Sequence, residues 1–263
     1  MLKIALCMLV LASLSACRAP ERAEVSSVAP LGARSGHSFT YLDESGVRQA
    51  ALLAGIRGAE TPDSRERLQR LLDEAGDALL LIETEAGRDR YDRPVVLALF
   101  DRTAGEAYLD ADMVSSGQAM VWPRPDADQR AQILYALETE ARRAGEGALG
   151  SGAFTIRDPD PDRLAQHLDS AQIIEGRVVA VGEARNGRLY LNFGLNWRTD
   201  FTVSLNRADR ERFEAQGLSD PAQLEGAVIR VRGWLYAENG PMIHVASPAQ
   251  IEILDAPDPT PLP

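Results

Sequence analysis

The chain has 263 residues, of which 28 are basic and 39 acidic, and its formal net charge at pH 7 is −11. This length leaves room for one large or two ordinary domains once any targeting segment is removed, and we expect two. A negative net charge opposes non-specific attraction to a phosphate backbone. Binding of nucleic acid would therefore require a local basic patch.

The N-terminus has the pattern of a signal peptide. Lys3 precedes the apolar run IALCMLVLASL, and LSAC places small residues before Cys17. The run is too short to cross a bilayer, which takes about 20 residues. Residues 1–16 resemble a bacterial lipoprotein signal, which implies acylation of Cys17, a lipid anchor in the membrane and a cell-envelope location on the periplasmic or surface side. A plain secretory signal is the alternative.

Cysteine and histidine are too sparse to predict cross-links or a zinc site. Cys7 and Cys17 are the only cysteines, and Cys7 would leave with the signal, so the mature domains hold no disulfide. The three histidines, His37, His167 and His244, stand far apart without cysteine partners. We predict no structural zinc.

Residues 17–35 are rich in Ala, Pro, Ser and charge without apolar periodicity, so we predict a flexible tether. From residue 36 the pattern becomes regular. HSFTYLD and VRQAALLAGI predict a hairpin around the turn ESG, and TPDSRERLQRLLDEAG predicts an amphipathic helix. ALLLIETE and PVVLALFD predict two further strands.

The second half of this region predicts a short helix, a strand and a long helix. YLDADMVSSGQAMVWP indicates a short helix, a glycine stop and an apolar strand. DADQRAQILYALETEARRAGEG predicts a helix whose buried stripe is Ile133, Leu134, Leu137 and Ala141. The predicted order is strands, helix, strands, helix.

Four phrases in this order resemble the thermonuclease (staphylococcal-nuclease-like) family: LLAGIRGAE, DRYDRPVVLALF, DMVSSGQAMVW and ETEARRAGEGAL. The resemblance covers residues 36–154 and implies a five-stranded OB-type barrel with packing helices. It also implies phosphodiester hydrolysis with a calcium ion, two arginines on the scissile phosphate and a glutamate near the attacking water.

Several positions depart from the family pattern. The first arginine falls on Leu52, a metal-binding aspartate falls on Arg57, and the residue after it falls on Gly58. An earlier metal-binding aspartate falls on His37. The glutamate is retained as Glu60, and the second arginine is retained as Arg93 in the DRYDR turn.

Arg57 opposes a calcium site. Calcium takes about six to eight oxygen ligands, and a guanidinium repels a divalent ion 4 Å away by about 8 kcal/mol at an effective dielectric near 20. Arg57 lies five positions after Leu52, so in an extended strand it would point to the opposite face. The alternative is that a loop reorients Arg57 and lets it replace the lost arginine. We predict no metal and no cofactor, with calcium kept for the active-nuclease alternative.

The retained residues also have structural interpretations. Glu60 precedes a helix, where an acidic residue suits the helix dipole. The arginines of the turn, including Arg90 and Arg93, alternate with aspartates, which predicts a solvated, self-paired turn. Tyr91 is predicted to pack, and Arg90 and Tyr91 are also candidate ligand-binding residues. Residues 36–154 hold 13 arginines, no lysine and 21 acidic residues, a poor electrostatic footprint for a nucleic-acid enzyme.

Residues 155–171 are acidic and broken by proline, which predicts a linker. Residues 172–254 predict five strands with a helix after the third, a second OB-like domain. In LYLNF, alternation predicts a buried face formed by Leu189, Leu191 and Phe193. The opposite face and the following loop offer an aromatic-basic platform for a ligand, with a packing role as the alternative: Tyr190, Trp197 and Arg198. Residues 255–263 form a Pro-rich tail, predicted to be disordered.

The sequence therefore predicts an α+β, mainly β chain built from two OB-type five-stranded barrels, the first with thermonuclease-like packing helices. The leading functional hypothesis is an envelope lipoprotein with a degenerate active site that binds single-stranded nucleic acid or an envelope component without catalysis. An active extracytoplasmic nuclease is one alternative. A protein- or oligosaccharide-binding scaffold acting through the second barrel is the other. The sequence leaves the oligomeric state open.

Overall fold

The computed structural model describes residues 25–125, 130–215 and 221–256. The predicted signal peptide, the lipidation site Cys17 and the start of the tether lie outside these residues. So does the predicted tail from residue 257 onward.

The first half of the chain forms a six-stranded sheet and a separate two-stranded sheet. The larger sheet contains β1 (Val25–Ser35), β2 (Ser38–Leu42), β3 (Arg48–Leu53), β5 (Leu79–Arg88), β6 (Pro94–Arg102) and β7 (Gly105–Tyr108). The smaller sheet pairs β4 (Ile56–Gly58) with β8 (Ala119–Val121).

Five of these strands close into a barrel. The strand order is β3-β2-β1-β5-β6, and β3 also pairs with β6, in parallel, through Leu52–Val95 and Leu53–Val96. The other pairings in the ring are antiparallel. The predicted barrel of the first domain is thus confirmed.

The tether prediction for residues 17–35 is wrong over its second part, because Val25–Ser35 form β1, which pairs with β2 and β5 to close the barrel. The register of β1 against β2 shifts after Pro30 and after Ala33. These irregularities remove the two-residue alternation by which a strand is recognised. Val28 is the buried anchor of this strand.

Three helices follow in this half: α1 (Pro62–Ala75) contacts β1, α2 (Leu109–Ser115) contacts β6 and β7, and α3 (Ala131–Ala144) contacts α2 and β8. The short α4 (Gly147–Gly150) comes after them. Helix α1 begins as predicted, because the hydroxyl of Thr61 accepts a hydrogen bond from the Ser64 amide and Pro62 fills the first turn. Leu68, Leu71 and Leu72 are buried against the barrel.

The stripe predicted for α3 is partly wrong. Leu134 and Ala141 are buried, but Ile133 is exposed and Glu138 is buried in its place. One oxygen of Glu138 accepts a hydrogen bond from the Val121 amide, and the carboxylate pairs with Arg142 and Arg232. A carboxylate with several partners can be buried. The buried face of α3 therefore includes Glu138 and leaves Ile133 in solvent, whereas the apolar pattern predicted the opposite.

The second half forms an eight-stranded sheet: β9 (Ile156–Arg157), β10 (Ser170–Arg177), β11 (Ala180–Glu183), β12 (Leu189–Asn192), β13 (Thr202–Leu205), β14 (Val228–Ala237), β15 (Pro241–Val245) and β16 (Ile251–Asp255). The order is β11-β12-β13-β15-β14-β10-β9, with β16 on β14, and β13 pairs with β15 in parallel. Helices α5 (Pro161–Leu164) and α6 (Arg210–Ala215) are short.

The predicted linker is packed rather than extended. It contributes β9, which pairs with β10, and its Leu164 is fully buried in the core of the second sheet. Leu189, Leu191 and Phe193 lie in the same core, as predicted from their alternation.

The two halves share a buried contact. On β14, the guanidinium of Arg232 is only 1% exposed and donates hydrogen bonds to Glu138 (2.8 Å), the Val121 carbonyl (3.0 Å) and Glu252 (2.6 Å). Beside it, an apolar cluster includes Met120, Ala141 and Ile173. The second half is therefore docked on α3 and β8 of the first.

Candidate functional site

A cleft of about 430 Å³ lies where the barrel meets the second half of the chain. Its lining combines basic and aromatic side chains with two apolar residues and one acidic residue, and Trp234 comes from the second half: His37, Leu52, Ile56, Arg57, Asp89, Arg90, Tyr91, Arg93, Trp122, Arg124 and Trp234. Four arginines thus face one carboxylate among the lining residues. This is a local basic patch on an acidic protein.

Four of the predicted family positions converge on this cleft. His37 precedes β2, Leu52 lies in β3, Arg57 lies in β4 and Arg93 precedes β6. The prediction that Arg57 points away from Leu52 is wrong, because the chain does not stay extended. A turn at Gly55, whose φ is +72°, ends β3 and starts β4, so both side chains reach the same cleft.

The guanidinium of Arg57 contacts one carboxylate and two indole rings. Its Nη2 lies 3.2 Å from Oε1 of Glu60, and its Cζ lies 5.8 Å from the ring centroids of both Trp122 and Trp234. Such distances allow cation–π attraction. The side chain of Glu60 is 85% exposed, and Arg57 is its described ion-pair partner.

Gly58 is a glycine for steric reasons. A Cβ built at this position would lie 2.3 Å from the backbone carbonyl carbon of Gly36, closer than non-bonded atoms approach. The backbones of β4 and of the turn before β2 are in direct contact here. A side chain that ligates a metal does not fit at position 58 in this backbone.

Leu52 is part of the barrel wall. It is buried in a small apolar cluster with Ala54 and Val95, and it faces the cleft without any polar atom. The donor that the family resemblance implies at this position is therefore missing, and Leu52 presents an apolar surface instead.

The DRYDR turn is self-paired, as predicted. Asp89 accepts hydrogen bonds from Nε (2.9 Å) and Nη2 (2.6 Å) of Arg93 and from the backbone amides of Tyr91 and Arg93. Burial by itself would raise the pKa of Asp89, but these hydrogen bonds and the charge of Arg93 outweigh it and lower the pKa. Asp89 thus stays ionised and holds Arg93 in place.

Tyr91 does not pack as predicted. Its side chain is 64% exposed, and Arg90 and Arg93 lie 4.7 Å and 5.4 Å from its ring centroid. Nη2 of Arg90 also donates to the Tyr91 hydroxyl at 2.7 Å. The tip of the turn therefore presents an accessible aromatic ring flanked by two cations.

His37 is neutral at pH 7. Burial lowers its pKa to about 4, and the charges of Arg57, Arg93 and Arg124 lower it in the same direction. The imidazole is therefore neutral because it is buried and because three guanidinium groups add positive charge around it.

The cleft does not fit calcium. The ion needs about six to eight oxygen ligands, whereas the lining offers Asp89, already bonded to Arg93, among four arginines. Across residues 25–125, 130–215 and 221–256, no group of three His, Cys, Asp or Glu side chains is placed to hold a metal ion.

Sequence reasoning missed both tryptophans of the cleft and one of its arginines: Trp122, Trp234 and Arg124. Trp122 ends one of the family phrases, and Arg124 follows it by two positions, so a search for basic residues near that phrase would have found both. Trp234 comes from β14, and only the docking of the two halves places it here.

The predicted platform on the second half borders a different cavity. Tyr190 and Trp197 line a volume of about 460 Å³ together with amide and hydroxyl groups, among them Asn192, Thr202 and Asn239. Arg198 lies 4.2 Å from the Trp197 ring centroid but is not among the lining residues. Glu183, which also lines the cavity, pairs with Arg210 at 2.9 Å.

No protein-family model matches the chain, and no curated protein matches it. None of the helices within the described residues is both long and apolar enough to span a membrane.

Proposed function

We propose that this chain is a thermonuclease-like envelope lipoprotein whose degenerate active-site cleft binds single-stranded nucleic acid without cleaving it. The observation that carries the proposal is the cleft itself, where four arginines meet Tyr91, Trp122 and Trp234. Arginines neutralise phosphates, and aromatic rings stack on bases that are unpaired. A double strand would keep its bases stacked inside, out of reach of these rings.

Strand order supports the family assignment and a second OB-type barrel. Around the first barrel the strand order is β1-β2-β3-β6-β5, and β3 and β6, the third and fifth barrel strands along the chain, are parallel. In the second half, β10 and β11 follow each other in the chain, and β12, β13, β15 and β14 lie between them in the sheet. If β10 and β11 are counted as one bent first strand, the strand order is the same as in the first barrel, and β13 and β15 again form a parallel pair. The lipid anchor rests on the LSAC sequence at Cys17.

Charge supports binding over catalysis. Arg57 sits at the position that the family gives to a metal-binding aspartate, where it supplies a fixed positive charge and repels a divalent cation. Arg57 and Arg93 are each paired with a carboxylate, whereas no described carboxylate forms an ion pair with Arg90 or Arg124. Among the residues that the structure describes, these two guanidinium groups are the cleft cations without a carboxylate partner.

Replacing Arg124 tests this proposal. We expect Arg124→Gln to weaken binding of an oligothymidylate about tenfold at low salt and to reduce the slope of log Kobs against log salt by about 0.7, the value for one phosphate contact on a single strand. Fluorescence anisotropy over a salt series measures both quantities.

Arg65→Gln is the matched control, because Arg65 is an exposed arginine on α1 outside the cleft. We expect its affinity and salt slope to equal those of the wild type. Failure of the wild type to bind the oligonucleotide at low salt would contradict the proposal.

Calcium separates this proposal from an active nuclease. We expect millimolar calcium to leave the melting temperature of the wild type unchanged. A calcium site would instead raise the free energy of unfolding by about 2.7 kcal/mol when the calcium concentration is 100 times its Kd. Calorimetry with calcium and with chelator measures this, and a cleavage assay under the same conditions runs beside it. Calcium-dependent cleavage, or a calcium-dependent stabilisation lost in Glu60→Ala, would favour the nuclease.

The cavity beside Trp197 favours a second candidate, binding of an uncharged oligosaccharide. Its lining combines two aromatic rings with amide and hydroxyl groups. Two nearby arginines pair with carboxylates, Arg188 with Glu238 and Arg210 with Glu183, and Arg198 lies against the Trp197 ring without lining the cavity. Quenching or enhancement of Trp197 fluorescence by a neutral oligosaccharide, but not by oligothymidylate, would support this candidate.

A further inference from the structure

Trp234 belongs to the second half of the chain but lines the cleft of the first. It lies on β14, and the centroid of its ring is 5.8 Å from Cζ of Arg57. The side chain remains 46% exposed. A tryptophan that served only to pack the two halves together would be expected to be buried, so this exposure asks for another explanation.

The position of Trp234 is fixed by its neighbour on the same strand face. Arg232 lies two residues earlier, and alternate residues of a strand point to the same side. The guanidinium of Arg232 is bonded to Glu138 and to the Val121 carbonyl of the first half. Trp234 is therefore held at the cleft by a buried polar contact and does not depend on a flexible linker.

Trp122, the other indole at Arg57, is held differently. It is half-buried and packs against the apolar cluster that contains Met120 and Ile173. Its face is thus engaged within the protein. Of the two indoles, Trp234 is the one with the larger free surface toward a ligand.

We propose that Trp234 stacks on a base of the single strand whose phosphates lie against the arginines. The second half of the chain thereby makes the affinity of the cleft depend on the presence of bases. This inference rests on the proposed function of the cleft. A planar ring beside a row of guanidinium groups is the combination by which single strands are held through both bases and phosphates. Without Trp234, the cleft would lose the stacking surface that the second half of the chain supplies and would discriminate less between a base and its absence.

The experiment compares oligothymidylate with an abasic oligomer of the same length. Both carry the same phosphates, so the ratio of their affinities isolates the contribution of the bases. We expect the wild type to prefer oligothymidylate about tenfold, which corresponds to one stacked base. Trp234→Ala should lose that factor on oligothymidylate and keep the wild-type affinity for the abasic oligomer.

Two further variants control for folding and for the other cavity. Trp234→Phe retains an aromatic ring and should restore most of the preference, and thermal unfolding checks that each variant is folded. Trp197→Phe removes the tryptophan at the second cavity and should bind both oligomers as the wild type does. Because the chain has three tryptophans, quenching by oligothymidylate in the Trp197→Phe background reports on the cleft.

Different failures have different meanings. If the wild type binds both oligomers equally, or if Trp234→Ala loses the same factor on both, the stacking role is overturned and the phosphate-binding cleft stands. If the wild type binds neither oligomer at low salt, the proposed function fails, and the inference that rests on it fails too.

Discussion

Glu138→Gln is expected to lower the free energy of unfolding by about 3–5 kcal/mol, because the buried guanidinium of Arg232 loses its fully buried counter-charge and keeps only Glu252, which is partly exposed. The carboxylate is 3% exposed and Arg232 is 1% exposed, and they are 2.8 Å apart. Burial by itself would raise the pKa of Glu138, but Arg232 and Arg142 outweigh it and lower the pKa, so the native carboxylate is ionised. Denaturant titration at neutral pH measures the loss.

The same helix supplies the control. Glu140 pairs with Arg143 at 2.6 Å, but both side chains are about two-thirds exposed. Glu140→Gln should therefore change the free energy of unfolding by less than about 1 kcal/mol. A loss of similar size in the two variants would contradict the assignment of Glu138 as the buried link between the halves.

A double variant distinguishes loss of a charge pair from loss of shape. Arg232→Met in the Glu138→Gln background removes the buried cation, which Glu252 alone would otherwise neutralise, and should recover part of the stability. Unfolding in two separate steps in Glu138→Gln, where the wild type shows one, would identify this contact as the one that couples the two halves.

Local signals in the sequence were sufficient for much of the fold. The hairpin β2–β3 follows from alternation around ESG, and α1 follows from Thr61, Pro62 and its leucine spacing, as found. Both elements are specified by residues that are close in sequence. The alternation in LYLNF predicted the buried face of β12 for the same reason.

The errors lie where distant parts of the chain determine the outcome. Val25–Ser35 form a strand because β2 and β5 supply its hydrogen bonds, although Pro30 and Gly32 interrupt its pattern. Glu138 is buried because Arg232, 94 positions away, neutralises it. Such tertiary partners cannot be inferred from periodicity.

The candidate site shows the same division. The family resemblance identified positions 37, 52, 57 and 93, and these positions line one cleft. The orientation of Arg57 was missed because it depends on a turn at Gly55 that a continuous apolar run conceals. Trp234 was missed because its place depends on how the two halves dock.

Acidification is expected to destabilise the protein through His37. Its pKa is about 4 in the folded state against an ordinary value of 6.5, so between these values the unfolded chain binds more protons than the native one. Stability therefore rises with pH in this window: it is fully present above about 6.5 and is lost as pH falls toward 4. A difference of this size corresponds to about 3 kcal/mol.

NMR titration of the His37 ring and unfolding experiments across pH 4–7 measure the pKa and its effect. Arg124→Gln removes one of the charges that depress this pKa and should raise it, whereas Arg90→Gln should not, because Arg90 lines the cleft without contributing to the shift. His37→Gln should flatten the dependence of stability on pH. A folded wild type in which His37 titrates near 6.5 would contradict the charge arrangement described for the cleft.

The same titration connects the charge of the cleft to its ligand. A bound phosphate offsets the positive potential of Arg57, Arg93 and Arg124, so it favours the protonated form of His37 and raises its pKa. By linkage, the affinity for oligothymidylate must then increase as pH falls toward about 4, the pKa of His37 in the free folded protein. Thymine has no group that titrates in this window, so the change belongs to the protein. His37→Gln should abolish the increase while retaining the affinity measured at pH 7, and a pH-independent affinity in the wild type would place the phosphates away from His37.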